Sequence, residues 1–289
     1  MGPTAAGKSA LALELAAEAG DLEIVSVDSM QVYRGMDIGT AKPTPAERAA
    51  VAHHLLDLAE PDHDFSVAAF QAAAQAALRD IAARGHRALL VGGTGLYFRA
   101  LVDGLHLPGR YPEVRAELEA DVDTPALHAR LAVLDPPAAR RMEPTNRRRV
   151  VRALEVTLGS GRPFSTFGPG LEAYPPSPVV QIGLRPPLDV LDWRIDQRVQ
   201  AMVARGFLDE VRGLPRPLSR TAGQALGYRE LLDHLDGRLT FERAVADTVA
   251  RTRQFARRQL RWFRRDPRVR WWDTGSCPPD VLGDWRRCA

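Results

Sequence analysis

Apolar positions recur along this chain with two different periods, and their order indicates the class of fold. Gly7 to Ala19 sets Leu11 and Leu15 one turn apart and predicts a helix, and Glu23 to Val27 is a short apolar run that predicts a strand ending at Asp28. Phe65 to Ala83 predicts another helix, and Ala88 to Val91 a buried strand running into Gly92-Gly93-Thr94-Gly95. Strands that alternate with helices form a parallel sheet covered on both faces. Ligands of such sheets gather beyond the carboxyl ends of the strands, where Asp28 and Thr94 both fall. The predicted fold is α/β, a parallel phosphate-loop sheet flanked by helices.

Past Gly104 the pattern becomes helical, with segments Pro112 to Ala120, Thr124 to Leu134 and Asn146 to Leu158 and no strand between them. Thr124 followed by Pro125 reads as a capping hydroxyl and a proline at the first helical position. This region is predicted to be a helical insertion, residues 109–178, between a first core segment at 1–108 and a second at 179–289. A Pro- and Gly-rich stretch from Gly159 to Pro178 closes it, and Val179 to Leu184 reads as a returning core strand. Leu188, Leu191, Ile195, Val199 and Met202 then line one helical face, and a long basic helix follows from Phe241 to Arg264. There is no internal repeat.

Charge sharpens the picture through its distribution. The net charge is only +3, but Arg251 to Arg270 holds nine arginines against one acid, and Arg140 to Arg152 six against one. Two such clusters suit a polyanion, because each neutralised phosphate releases counterions; a solvated helix face is the plain alternative. No apolar run approaches the roughly 18–20 residues that span a bilayer, and no targeting segment opens the chain. A cytoplasmic protein without a membrane partner is expected, acting as a monomer. Cys277 and Cys288 are the only cysteines, so neither a disulfide framework nor a four-cysteine zinc site is available.

Gly2-Pro3-Thr4-Ala5-Ala6-Gly7-Lys8-Ser9 fits the phosphate-loop pattern. Its glycines let backbone N–H groups curl around phosphate oxygens, Lys8 reaches a terminal phosphate, the Ser9 hydroxyl can hold Mg²⁺, and the helix that starts there adds its positive end. A nucleoside triphosphatase would need a second strand ending in an acidic pair, whereas Ala88 to Val91 ends in Gly-Gly-Thr-Gly. Asp28 is the acid at a strand end close to the loop; it could be a metal ligand, a general base, or a cap for the following turn. Such a loop connects a strand end to a helix start, yet the pattern begins at Gly2. A strand's length of apolar residues is therefore expected ahead of Met1 in the natural protein.

Seven segments carry a resemblance to bacterial tRNA dimethylallyltransferases: Gly2 to Ser9, Val27 to Pro43 and Val91 to Tyr97, then Arg147 to Glu155, Arg194 to Arg198, Ala225 to Arg229 and Thr252 to Gln259. They keep the family's order and span nearly the whole chain; Val27 to Pro43 is the most specific, and the phosphate loop alone is shared with many unrelated enzymes. The resemblance implies that the loop holds the diphosphate of dimethylallyl diphosphate and that the five-carbon group moves to the exocyclic nitrogen of an anticodon-loop adenosine in tRNA. It implies Asp28 as general base, Arg198, Lys8 and Mg²⁺ on Ser9 as partners of the leaving diphosphate, and Thr94 as a nucleotide contact. It also implies tRNA contacts at Ser29, Met30, Gln31, Arg115, Arg148, Arg149, Val150, Val151, Arg152, Gln224, Gly227, Tyr228, Arg229, Arg257, Arg258, Arg261 and Arg264. Two other classes compete: a phosphate-loop kinase or nucleoside triphosphatase, since the loop would tolerate ATP, and a non-catalytic RNA-binding protein. His53, His54 and His63 match no common metal spacing, and Trp262, Phe263, Trp271 and Trp272 read as core or helix-docking residues before base-stacking ones.

Overall fold

The structure, a computed structural model, describes residues 1–168 and 170–273. Two compact units emerge, one built from Met1–Asp103 and the chain from Pro176 onward, the other from Gly104–Pro175.

The first unit opens with α1 (Lys8–Ala19), β1 (Leu22–Val27), α2 (Pro45–Ala50), β2 (His53–His54), α3 (Val67–Ala83), β3 (Arg87–Gly92) and α4 (Gly95–Val102). Gly7, with φ 93°, precedes α1, and no side chain caps that helix or places an acid in its first turn. Its leading N–H groups and positive end are therefore left to whatever anion approaches. β1 is buried at all six positions because both its edges are paired, with β2 on one side and β3 on the other, in parallel. Leu22 faces Arg87 and Val27 faces Gly92, so the carboxyl ends of β1 and β3 finish level. β3 is not the buried strand its apolar run predicts: Arg87 and Ala88 are exposed and Leu89 to Val91 only half-buried. Among the described residues it pairs with β1 alone and is an edge of its sheet.

The second unit holds α5 (Pro112–Ala120), α6 (Thr124–Leu134), α7 (Pro136–Arg140) and α8 (Arg147–Ser160). Leu118, Leu127, Leu131, Val150 and Leu154 form its core. Thr124 is not the cap of α6; the Asp123 carboxylate accepts from the Ala126 N–H, leaving Thr124 as the first helical residue. An ionised side chain one position earlier makes the stronger charge-assisted bond to an N-terminal amide.

Back in the first unit, β4 (Gln181–Leu184) precedes α9 (Leu188–Ala204), α10 (Phe207–Gly213), α11 (Tyr228–Leu235) and α12 (Phe241–Phe263), and β5 (Val269–Trp272) follows. β4 joins β5 in a separate parallel pair, and Met1 also bonds to it, the Leu184 N–H donating to the Met1 carbonyl at 2.9 Å. On α9, Leu191, Ile195, Val199 and Met202 are buried as their spacing predicts, while Leu188, in the first turn, is 51% exposed. α12 lays Thr252, Ala256, Leu260 and Phe263 into the core. Phe263 packs with Val25, Val27 and Phe98, and Trp262 and Trp271 pack against the same cluster, so these aromatics are structural. Cys277 and Cys288 lie outside the described residues.

Candidate active site

The phosphate loop is anchored from three helices. Adding a Cβ to Gly2 would put it 2.7 Å from the Leu184 carbonyl oxygen, and Ala5 takes a left-handed φ of 61°. Lys8 Nζ, from α1, donates to the Pro3 carbonyl at 2.6 Å. Arg198, from α9, donates to Thr4 Oγ1 at 3.0 Å. From α12, Gln259 Oε1 accepts from the Thr4 N–H at 2.8 Å. Ser9, exposed at the start of α1, stands on the solvent side of the loop.

Beside the loop, the ends of β1 and β3 are pressed together. A Cβ on Gly92 would sit 2.0 Å from the Val27 carbonyl oxygen, one on Gly93 2.2 Å from Gln259 Nε2, and one on Gly95 2.0 Å from Trp262 Nε1. Each of these three glycines is needed because backbone or an α12 side chain fills the volume a side chain would take. The approach sets Thr94 against the turn after β1: Thr94 Oγ1 accepts from the Ser29 N–H at 3.0 Å and donates to Ser29 Oγ at 3.3 Å.

Asp28 opens that turn, and its Oδ1 accepts from the Met30 N–H at 2.8 Å. The capping role is therefore present, and it engages one carboxylate oxygen; Oδ2 has no protein partner among the described residues. The following loop is held firmly. Gln31 accepts from Ser26 Oγ at 2.7 Å and donates to the Thr40 and Ala41 carbonyls. Lys42 bonds the Tyr33 carbonyl, Asp37 and Asp57. Glu210 accepts from the Asp37, Ile38 and Gly39 N–H groups and from Tyr228 Oη.

The electrostatics tie the three charged groups together. Burial, and after it nearby Arg198, bring Lys8 down to about 7 against the opposing pull of Asp28, although the residue keeps part of its surface in water. Burial likewise lowers Arg198, again against Asp28. Two desolvated cations and one carboxylate thus converge on the loop, an arrangement that favours an incoming polyanion. Because the free ammonium is lost as pH climbs through about 7, inorganic diphosphate should bind with proton uptake above that pH. Its affinity is expected to fall by up to about tenfold per pH unit, and Lys8→Met should flatten the profile; titration calorimetry between about pH 6 and 9 checks both.

The implied tRNA contacts divide by burial. Tyr228 is fully buried with its hydroxyl on Glu210, burial raising its pKa far above the usual phenol value. Gly227 packs against Phe207, and Val150 and Val151 belong to the core of the second unit. The side chains of Tyr228, Val150 and Val151 are therefore committed to packing, and Gly227 has none to present. Met30 packs partly against the core, and Ser29 and Gln31 are engaged in the turn. Arg115 and Arg152 both pair with the buried Glu155, whereas Arg148 and Arg149 are exposed. Gln224 and Arg229 are also exposed, as are Arg258 and Arg261 on α12 and Arg264 just after it; Arg257 instead pairs with Asp192 at 2.7 Å. Replacing Arg258 and Arg261 by Ala is expected to weaken tRNA binding and flatten its log–log salt dependence by about one unit of slope per lost phosphate contact. Filter binding at several salt concentrations measures this, and Arg257→Ala should change the slope least.

The histidines make separate local bonds, His53 to the Val51 carbonyl, His54 to Glu23 and His63 to Asp62. Glu23, held mainly by Arg84 and also by both His54 and His86, is lowered to about 2; this is an ion cluster at the amino end of β1, away from Asp28.

Residues 31–266 match the family model described as IPP transferase. The chain belongs to the IPP transferase family. It is 52% identical to a tRNA dimethylallyltransferase of Kineococcus radiotolerans over 97% of this chain and 92% of the relative, and 52% identical to one of Thermobifida fusca over 94% and 88%. The solved tRNA isopentenylpyrophosphate transferase of Bacillus halodurans is 40% identical, with a TM-score of 0.71 over 99% of this chain and 92% of that one. A eukaryotic dimethylallyltransferase acting on tRNA gives 0.79 at 26% identity, over 100% and 76%. Within this family fold, Gln259, Glu210 and Lys42 are the site residues that spacing did not single out. For Gln259 there was a signal: it is a polar residue at a position of α12 where the helical period predicts an apolar one.

Proposed function

We propose that the chain transfers the dimethylallyl group of dimethylallyl diphosphate to the exocyclic N6 of the adenosine 3′ of the anticodon in tRNA. The observation that carries this is the convergence of Lys8, Arg198 and Asp28 at the phosphate loop, in a chain whose relatives are tRNA dimethylallyltransferases. In the reaction the bond between the allylic carbon and the diphosphate oxygen breaks while the N6–carbon bond forms, and N6 loses a proton. Lys8 and Arg198 neutralise charge that grows on the departing diphosphate. Asp28 Oδ2 accepts a hydrogen bond from the amine, orients it and takes its proton. Thr94, fixed by Ser29, borders the nucleotide. The adenine must leave its stack to arrive there, at a few kcal/mol, and the exposed arginines of α12 and α8 offset this through phosphate contacts.

Among the described residues no group of three or more His, Cys, Asp and Glu is arranged to hold a metal. An exposed Ser9 hydroxyl together with phosphate oxygens and water does suit Mg²⁺, which keeps several waters and favours ligand phosphates over protein cages. When bound, Mg²⁺ would supply further charge neutralisation to the leaving group.

A kinase or triphosphatase is less well supported, because β3 ends in Gly92-Gly93-Thr94-Gly95 without a carboxylate. No helix among the described residues is long and apolar enough to cross a membrane. Incubation with labelled dimethylallyl diphosphate, Mg²⁺ and bulk tRNA, followed by nucleoside analysis, should yield dimethylallyladenosine; label that stays in the diphosphate while ATP is turned over would replace this reading with phosphoryl transfer.

A further inference from the structure

Gln259 joins the two halves of the candidate site. Its Oε1 accepts from the Thr4 N–H of the phosphate loop at 2.8 Å, and its Nε2 donates to the Gly93 carbonyl, beside Thr94, at 2.9 Å. The residue is only 7% exposed, so its amide is committed to these two partners. The room for it is specific, since a Cβ on Gly93 would lie 2.2 Å from Nε2. The bridge also commits a phosphate-loop amide of the kind that ordinarily faces an anion. Thr4 is thereby fixed from two directions, its backbone by α12 and its hydroxyl by Arg198.

We infer that Gln259 is a positioning residue that sets the distance between the diphosphate seat and the turn carrying Thr94, and through Thr94 the turn of Asp28. The path runs through hydrogen bonds and one peptide link: the Thr4 N–H to Gln259, Gln259 to the Gly93 carbonyl, along the chain to Thr94, and the Ser29 N–H to Thr94 Oγ1. An amide fits this task better than other side chains of its size, because at this buried position one end must accept and the other donate. In the proposed reaction the diphosphate is held at the loop and the nucleotide at the Thr94 turn, the two ends of this bridge, so the near-attack geometry would depend on its length, and a misplacement of about 1 Å can cost about 100-fold in rate. This inference rests on the proposed prenyl transfer.

The test is steady-state transfer of labelled dimethylallyl groups to tRNA by wild type and Gln259→Met, which keeps the size of the side chain and removes both bonds. Expected is a kcat lowered about 10- to 100-fold, with KM for tRNA within about twofold of wild type and a cooperative unfolding transition at a somewhat lowered thermal midpoint, since the Thr4 N–H and the Gly93 carbonyl lose their partner. If the Met variant proves unstable, Gln259→Glu serves, since it keeps the acceptor for Thr4 and loses the donor to Gly93; the same pattern is expected. A kcat within twofold of wild type in the folded variant overturns the inference. So does a loss of tRNA affinity equal to the loss of kcat, which would mark general loosening of α12. Absence of transfer by the wild-type protein would instead remove the prenyl-transfer reading itself.

Discussion

Asp28→Asn is expected to lower turnover by about 10²–10⁴-fold while tRNA affinity and the thermal midpoint stay close to wild type. The asparagine oxygen can still accept from the Met30 N–H, the bond that Asp28 Oδ1 makes at 2.8 Å, so the turn after β1 survives. What the amide cannot do is accept the N6 proton at the second position. Asp28→Ala removes both functions, and the difference between the two variants isolates the turn's share. Single-turnover assays with saturating tRNA, paired with binding measurements, separate the cases. If Asn restores wild-type turnover, Asp28 acts through its turn alone and the base lies elsewhere.

Arg198→Ala should follow with about a 10²–10³-fold loss in kcat. The guanidinium is desolvated, its pKa lowered by that burial and supported by Asp28, and it holds Thr4 Oγ1 at 3.0 Å. Removing it takes away a cation whose attraction for the proposed leaving diphosphate would grow as the bond breaks, and it frees the loop threonine. Arg198→Lys should recover only part of the loss, because a point ammonium lacks the planar fork that can grip the loop and the leaving group together. The decisive comparison is kcat against KM for dimethylallyl diphosphate. A raised KM with unchanged kcat would mean that Arg198 binds substrate and transition state equally and does not assist departure.

Local pattern settled a good deal. Gly2 to Ser9 and the apolar rhythm of Gly7 to Ala19 specify a loop and the start of α1 within one stretch of chain, where neighbouring residues decide the geometry. Val27 to Pro43 was legible as a functional segment, but its internal logic was not: Gln31 reaches the Thr40 and Ala41 carbonyls, and Glu210, far along the chain, accepts from Asp37, Ile38 and Gly39. Such bonds join residues with no sequence period in common. For the same reason Tyr228, Val150 and Val151 look like contact residues in a segment and are core residues in the fold.

The sequence by itself determined the alternating helices and strands, the phosphate-loop pattern, Asp28 and Thr94 at strand ends, and the basic character of α12, because each is written in contiguous residues. Only the tertiary structure decided which arginines are exposed and which are tied to Asp192 or Glu155, that β3 is an edge among the described residues, and that Gln259 spans from Thr4 to Gly93. Those outcomes depend on which distant groups come within hydrogen-bonding reach once the core closes, and a buried donor or acceptor takes whichever partner the packing brings.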